Sequence, residues 1–247
     1  MKHFVIVGAT SSIAEHCARL WVAEEALELT LLARDAVRAE AVAADLRVRS
    51  PESTVHTATL AFTDPGAIEA WLAALYDRAP VDIALIAHGS LPDQAACERD
   101  LHRTTAELEI NGLSPALFAE AFALKMQEQD HGQLAIIGSV AGDRGRKSNY
   151  VYGAAKGLLE RYAQGLQHRL AGTDVHVSLV KPGPTLTPMT AHLTDSGPGL
   201  ADVQAVARVI VNGLRRRKAV IYAPGKWRLI MLIIRHLPRF IFNRLDI

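Results

Sequence analysis

The sequence predicts an α/β fold, a doubly wound parallel sheet of about seven strands with helices on both faces. Short apolar runs rich in β-branched residues predict the strands, at 3–7, 28–33, 54–58, 81–87, 133–138, 175–180 and 219–223. These runs are almost continuously hydrophobic, which is typical of parallel strands covered on both faces. Stretches with helical periodicity separate them, at 12–24, 35–48, 66–77, 101–127, 150–171 and 202–216. This alternation indicates βαβ units with right-handed crossovers.

Length and composition favour a single domain with one substantial core. The chain has 247 residues, of which 49% are hydrophobic, and we expect a domain at 1–225 followed by a tail at 226–247. The 27 basic and 26 acidic residues nearly cancel, which gives no indication of nucleic-acid binding. The histidines form no HxxxH or HExxH pattern and the cysteines no CxxC pair, so we predict no metal site.

The sequence also indicates where in the cell the protein is expected. Residues 1–7 show no signal-peptide pattern, and no run of about 18 uncharged apolar residues predicts a spanning helix. Cys17 and Cys97 are far apart and are expected to be reduced thiols. We therefore expect a cytoplasmic protein.

The turn after the first predicted strand is the first candidate binding site. It reads Gly8-Ala9-Thr10-Ser11-Ser12-Ile13-Ala14 and leads into a predicted helix. A glycine-containing turn at this place presents free backbone amides and a helix dipole to the pyrophosphate of a dinucleotide. Because Gly8 alone of three expected glycines is present, an ordinary βα turn is the alternative.

The end of the second predicted strand bears on which dinucleotide is bound. It reads Ala33-Arg34-Asp35. An acidic residue at this tip would bind the ribose hydroxyls of NAD, whereas an arginine would pair with the extra phosphate of NADP. Arg34 therefore favours NADP(H) over NAD(H). The alternative is a surface charge at the start of a helix that pairs with Asp35.

A tyrosine, a lysine and a serine predict acid–base chemistry. Tyr152 and Lys156 are spaced i,i+4 near the start of a predicted helix and so share one face. A tyrosine has a solution pKa of about 10, and an ammonium nearby lowers it towards neutrality. Ser139 lies at a strand end upstream, where its hydroxyl can bind a substrate carbonyl oxygen.

With these motifs the chain resembles the shorter, single-domain branch of the short-chain dehydrogenase/reductase superfamily, from residue 3 to about 223. The turn from Gly8 is similar to that branch's Gly-x-x-x-Gly-x-Gly, with Ser12 and Ala14 in place of two glycines. Further matches are Ala87-His88-Gly89 at the family's Asn-Ala-Gly, Asn111 at its helix asparagine, and Pro182-Gly183 with Thr187 at the loop that covers the nicotinamide.

The resemblance implies a Rossmann-like, NADP(H)-dependent oxidoreductase that reduces a ketone to an alcohol or runs the reverse, as a homodimer or homotetramer. Tyr152 would be the acid/base, Lys156 would lower its pKa and bind the nicotinamide ribose, and Ser139 would orient the substrate. Asn111 would support a water relay behind the lysine. The implied cofactor-binding residues are Gly8, Thr10, Ser11, Ser12, Ile13, Arg34, Ala87, Gly89, Tyr152, Lys156, Pro182, Gly183 and Thr187.

The tail is both apolar and basic. Its apolar runs, 229–234 and 240–242, lie among Lys226, Arg228, Arg235, Arg239 and Arg244. These charges interrupt it too often for a spanning helix, and the mixture predicts peripheral contact with the inner face of an anionic membrane. Pro238 predicts a break into two short helices. The alternative is a tail packed on the core or on a second subunit, with the basic side chains extending into solvent.

The tail and the Gly8 turn are also similar to the reductase subunits of decaprenylphosphoryl-ribose 2-epimerases, which reduce a keto sugar carried on a polyprenyl phosphate. This implies a bulky or lipid-linked carbonyl substrate. A non-catalytic NAD(P)-binding regulator or scaffold is the second hypothesis, although the set of Asn111, Ser139, Tyr152 and Lys156 argues against it. A sugar-nucleotide epimerase or dehydratase of the longer branch is the third, and the chain length argues against it.

Overall fold

The computed structural model describes residues 1–191 and 199–245, and within them a seven-stranded parallel sheet carries helices on both faces. The predicted fold class is confirmed. The strands are β1 (Lys2–Val7), β2 (Leu27–Ala33), β3 (Thr54–Thr59), β4 (Ile83–Ile86), β5 (Gly132–Ile137), β6 (Val175–Pro182) and β7 (Val220–Ala223). The α-helices are α1 (Ser12–Val22), α2 (Ala36–Arg49), α3 (Pro65–Arg78), α4 (Gln94–Arg99), α5 (Leu101–Leu108), α6 (Ser114–Glu128), α7 (Tyr150–Arg169), α8 (Val203–Arg215), α9 (Trp227–His236) and α10 (Arg239–Phe242).

The order of the strands places a crevice next to β1. The order is β3-β2-β1-β4-β5-β6-β7, so the chain runs outward from β1 to β3 and then crosses back to add β4 on the other side. Open parallel sheets bind ligands at this reversal, outside the carboxyl ends of the strands. The turns that leave β1 and β4 begin at Gly8 and Ala87.

The side chains of β1 alternate between two apolar cores, one on each face of the sheet. Phe4 and Ile6 belong to the core that α1 and α8 cover, whereas Val5 and Val7 belong to the core that α3 and α6 cover. Burial on both faces explains the continuous apolar runs in the sequence. It also holds the carboxyl ends of the strands in fixed positions beneath the turns.

The structure corrects the sequence prediction in two helical regions. The single helix predicted at 101–127 is α5 and α6 joined by a π-helical turn, Glu109–Leu113. Such turns are rare single-turn insertions in α-helices, and the helical patterns on either side of this one predicted a single helix. Between the predicted strand 81–87 and the predicted helix 101–127, where the sequence predicts no element, the structure has α4. The Asp93 carboxylate caps this helix by accepting from the amide of Ala95 at 2.9 Å.

The segment between the predicted strand 175–180 and the predicted helix 202–216 is only partly described, since residues 192–198 lie outside the described residues. Strand β6 continues to Pro182. Beyond it, the amide of Leu186 donates to the carbonyl of Ala201 at 2.9 Å, and the amide of Ala201 donates to the carbonyl of Pro184 at 2.9 Å. These bonds tie the two ends of the loop together beside the crevice.

The tail forms two short helices, α9 and α10, and Pro238 separates them as predicted. Met231 is buried against the rest of the chain. The indole of Trp227 lies directly on Gly183, where a Cβ would come within 1.9 Å of its Nε1. In the chain as far as it is described, no helix has the length and apolar character needed to cross a membrane.

Candidate functional site

The side chains predicted to do chemistry converge on one cleft. Ser139 follows β5, Tyr152 and Lys156 lie on α7, and Asn111 lies on the π-helical turn. The Ser139 hydroxyl accepts from the amide of Ala141 at 3.1 Å, and its effect on Tyr152 is to lower the pKa of the phenol. The Lys156 ammonium lies 5.7 Å from the centre of the Tyr152 ring. The structure thus brings the predicted residues together.

Close backbone packing sets the position of Ser139 relative to α7. A short 3-10 turn, Val140–Asp143, follows the serine and lies on the first turns of α7. A Cβ on Gly142 would come within 2.8 Å of the carbonyl carbon of Lys156, and one on Gly153 within 2.9 Å of the carbonyl oxygen of Ala141. Only glycine at these two positions allows the turn and the helix to approach this closely.

Burial governs the electrostatics of the cleft. It lowers the pKa of Lys156 to about 8, and the ammonium donates to the carbonyl of Ile137 at 3.2 Å. Burial raises the pKa of Tyr152, while the hydrogen bond from Ser139 acts in the opposite direction. From the sequence, Lys156 was expected to lower the pKa of Tyr152. The structure differs because removal of the phenol from water outweighs its polar contacts.

Asn111 holds the segment that follows β4. Its side-chain oxygen accepts from the amide of Ser90 at 2.9 Å, and its side-chain nitrogen donates to the Glu107 carboxylate at 3.0 Å. A Cβ on Gly89 would lie 2.7 Å from the same oxygen. Glu107 and Ser90 were not predicted as site residues, although Glu107 precedes Asn111 by one helical turn.

The turn after β1 has the features of a phosphate cradle. Gly8 has φ +84°, and a Cβ there would lie 2.6 Å from the backbone nitrogen of His88. Ser11 occupies the N-cap position of α1 without a side-chain capping bond, so the first amides of the helix are left for a ligand. The predicted residues of this turn, Gly8, Thr10, Ser11, Ser12 and Ile13, all line a second cleft that continues from the first.

The far end of this second cleft is basic. Arg34 and Arg38 are exposed and line it together. The carboxylate of Asp35 caps α2 by accepting from the amide of Arg38 at 3.1 Å, and no Arg34–Asp35 ion pair occurs among the described residues. Arg38 was not predicted as a site residue, although its i,i+4 spacing from Arg34 could have indicated it.

His88 leaves a buried acceptor where the two clefts meet. The Ser114 hydroxyl donates to the carbonyl of Phe62 at 2.6 Å, so it accepts from Nε2–H of His88 at 2.9 Å. Nδ1 of His88 therefore carries no proton, and it is buried without a hydrogen-bond partner in the structure as described. Burial, with smaller effects from Lys156 and Arg34, lowers the pKa of this imidazole to about 3.

These observations fit a bound dinucleotide. A hydroxyl-bearing ligand would satisfy the unpaired Nδ1, the amides of α1 suit a pyrophosphate, and the arginines suit a further phosphate. The remaining predicted residues also line the clefts. Ala87, Gly89 and Thr187 line both clefts, and Pro182 and Gly183 line the first. The described residues contain no group of three or more His, Cys, Asp or Glu side chains placed to hold a metal ion.

Comparison with known proteins points to one family. The family model for short chain dehydrogenases matches residues 2–197. An uncharacterised oxidoreductase of Streptomyces coelicolor is 35% identical, over 99% of this chain and 96% of its own length. A short-chain dehydrogenase from Sphingobium yanoikuyae in complex with NADPH superposes with a TM-score of 0.83 at 23% identity over 97% of both chains. A 3-oxoacyl-[acyl-carrier protein] reductase from Brucella melitensis in complex with NAD superposes with a TM-score of 0.79 at 20% identity, over 92% of this chain and 97% of that chain.

The family model covers most of the chain, and the S. coelicolor relative matches it nearly from end to end. The solved structures share its fold, with the same sheet and helices on both faces. The chain therefore belongs to the short-chain dehydrogenase family and is an oxidoreductase of that family.

Proposed function

We propose that this oxidoreductase reduces a ketone to an alcohol, or runs the reverse, with NADP(H) as cofactor and Tyr152 as the general acid/base. The observation that carries the proposal is the group formed by Ser139, Tyr152 and the buried Lys156, in which Ser139 acts to lower the pKa of Tyr152. It lies in a cleft that continues into the basic, amide-lined cleft of the dinucleotide. A serine and a tyrosine hydroxyl that meet in this way define the position of one carbonyl oxygen.

A nicotinamide bound in this cleft would supply the hydride or accept it. In reduction, Ser139 and Tyr152 hydrogen-bond the carbonyl oxygen, and Tyr152 transfers its proton to the oxygen as negative charge develops there. Lys156 uses one of its three donors on the carbonyl of Ile137, which fixes the ammonium beside the tyrosine ring. Its other two N–H donors remain available. One can bind the nicotinamide ribose, and the other can take part in returning a proton to Tyr152 after Tyr152 has given up its own.

The preference for NADP(H) rests on the charges at the end of the cofactor cleft. Arg34 and Arg38 provide two guanidinium groups there, and the Asp35 carboxylate is engaged in capping α2. Two cations without a competing free carboxylate suit a phosphate monoester better than a pair of ribose hydroxyls. The Sphingobium neighbour is in complex with NADPH and the Brucella neighbour with NAD, so the fold alone accommodates both cofactors.

The tail, 226–247, bears on the substrate, and we propose that it contacts an anionic membrane and that the substrate is bulky or lipid-linked. Its helices expose Leu229, Leu232, Ile233 and Phe240, each more than half accessible, among the basic residues Arg228, Arg235 and Arg239. Apolar and basic groups on one surface suit an anionic bilayer. The guanidinium of Arg144 donates to the carbonyl of Leu237 at 2.7 Å, which holds the tail beside the substrate cleft. Burial of this surface between copies in a homodimer or homotetramer is the alternative.

The test is oxidation of NADPH by a panel of ketones that includes lipid extracts, with Tyr152→Phe and Tyr150→Phe compared. Tyr150 is exposed on the same helix and serves as the matched control. We expect Tyr152→Phe to keep less than about a hundredth of the wild-type rate with NADPH affinity nearly unchanged, and Tyr150→Phe to stay near wild type. NADPH binding without turnover of any ketone would favour the regulator or scaffold hypothesis.

A further inference from the structure

The substrate cleft contains two buried polar groups that the proposed catalytic steps do not use. Arg146 and Asn149 precede α7 and line the same cleft as Ser139 and Tyr152. Nε of Arg146 and Oδ1 of Asn149 are both buried, and neither has a hydrogen-bond partner within the described chain. Buried polar groups without partners are rare in folded proteins, and they point to a ligand that supplies the partners.

Asn149 occupies the N-cap position of α7, yet its side chain makes no capping bond. A residue from α4 performs that role, because Oε1 of Gln94 accepts from the amide of Val151 at 3.1 Å. An asparagine at this position normally accepts from the second or third amide of its own helix. Since Gln94 satisfies the second amide, the side-chain oxygen Oδ1 of Asn149 is left available to a ligand in the cleft.

Arg146 places a cation in the cleft without a compensating carboxylate. It forms no ion pair in the described residues, and no Asp or Glu is among the residues that line the cleft. Asp143, the acidic residue nearest in sequence, is engaged by Lys181 and Tyr222. Burial lowers the pKa of Arg146, but a guanidinium keeps its proton in proteins. A half-buried cation without a partner is costly, and an anion would remove that cost.

We propose that Arg146 and Asn149 form a subsite for an anionic group of the substrate, a carboxylate or a phosphate, with the Asn149 carbonyl accepting a hydrogen bond from a neighbouring hydroxyl. The inference rests on the proposed ketone reduction, because it places this group on the molecule whose carbonyl Tyr152 protonates. Leu91, Val140, Pro184 and Met189 line other parts of the cleft. The substrate is therefore a keto compound with one anionic group and an apolar part.

The experiment compares matched acidic and neutral ketones on the NADPH-loaded protein. The probes are 3-benzoylpropionate, 4-benzoylbutyrate and 5-benzoylvalerate, each with its primary amide, so that the distance between ketone and charge varies. The variants are Arg146→Gln, Asn149→Asp and a control, Arg208→Gln, which removes an exposed guanidinium on α8. Thermal unfolding of each variant checks that it folds, and Arg146→Lys, which keeps the charge, replaces Arg146→Gln if that variant unfolds.

We expect wild type and Arg208→Gln to prefer at least one acid over its amide by about tenfold to a hundredfold in kcat/KM, mainly through KM. Arg146→Gln should bring that ratio to about one while the amide keeps its rate within about twofold. Asn149→Asp should lower the ratio by repulsion, and Arg146→Lys should retain part of it. An unchanged ratio in Arg146→Gln, or equal losses for acid and amide, would overturn the proposal.

Binding of non-reactive ligands separates this inference from the proposed function. Calorimetry with 4-phenylbutyrate, phenethyl phosphate and 4-phenylbutanamide needs no turnover. Arg146-dependent binding of either anion, with weaker binding of the amide, supports the subsite even if no ketone is reduced, and the tighter anion identifies its class. Equal binding of all three ligands, or no binding of either anion, overturns the subsite even if neutral ketones are reduced.

Discussion

The ammonium of Lys181 lies 2.9 Å from Oε2 of Glu160, in an ion pair whose two side chains are 3% and 6% exposed. The same ammonium contacts the carboxylate of Asp143, which also accepts from the hydroxyl of Tyr222 at 3.1 Å. The pair joins the end of β6 to α7 one helical turn beyond Lys156. Through Asp143, Lys181 also joins these elements to the 3-10 turn that follows Ser139. The cluster therefore holds together the three segments that position the side chains proposed to be catalytic.

Replacement of Lys181 should be strongly destabilising. Lys181→Met leaves two carboxylates buried without their cation, and loss of one partner from a buried ion pair typically costs about 3–5 kcal/mol. Lys125→Met is the control, because Lys125 pairs with Glu128 on the surface and its loss should cost less than about 1 kcal/mol. Urea unfolding measures both. Similar free energies of unfolding for the two variants would show that the buried cluster contributes little.

Replacement of Arg34 should change the choice of cofactor. Arg34→Ala removes a charge-assisted phosphate contact, so NADPH affinity should fall by about 1.5–3 kcal/mol while NADH affinity stays nearly the same. Calorimetric titration with each cofactor measures this, and Arg103→Ala, an exposed arginine on α5, is the control. Equal losses for both cofactors would assign Arg34 a structural role.

Lys156 should make stability depend on pH. Its pKa is about 8 in the folded protein and about 10.4 when unfolded, so the unfolded chain binds more protons between these values and wild-type stability rises with pH there. Below pH 8 the buried charge costs up to about 3 kcal/mol. Lys156→Met should therefore be inactive yet more stable than wild type at pH 7, with the difference shrinking towards pH 10. Urea unfolding across this range tests the trend, and a constant difference would contradict it.

The exposed face of the tail should govern membrane binding. Complete removal of the tail would also remove Trp227 from Gly183, so we favour Leu232→Ser, Ile233→Ser and Phe240→Ser together. Wild type should float with anionic liposomes, less so at high salt because the basic contribution is screened, and the variant should not float. Val37→Ser with Leu101→Ser, at exposed apolar positions elsewhere, is the control. A fall in mass by light scattering, without any effect of liposomes, would instead indicate a subunit interface.

Most of the fold was predictable because its signals are local. Every predicted strand overlaps an observed one. The inner strands are buried on both faces and so are apolar almost throughout, whereas the edge strand β3 is only partly buried and its β-branched residues mark it. The helix predicted at 101–127 shows the limit of this reasoning. The sequence pattern did not distinguish the π-helical turn that carries Asn111 from an α-helix, and contacts with Ser90 and Gly89 outside the helix accompany this turn.

The sequence by itself determined the α/β sheet, the place of the Gly8 turn and the Tyr152–Lys156 pair, because each depends on residues within a few positions of one another. Tertiary structure alone decided what lies around them. Gln94 accepts from the amide of Val151 across 57 positions, which leaves the Asn149 side chain free of its capping role, and Lys181 meets Asp143 across 38. Such contacts have no periodic signature, since they arise only when strand ends and turns distant in sequence meet at one edge of the sheet. Burial at this edge of the sheet raises the pKa of Tyr152, and it also encloses Nε of Arg146, which has no hydrogen-bond partner among the described residues. How far water is excluded there depends on every segment that covers the edge, so the sequence near Tyr152 or Arg146 does not reveal it.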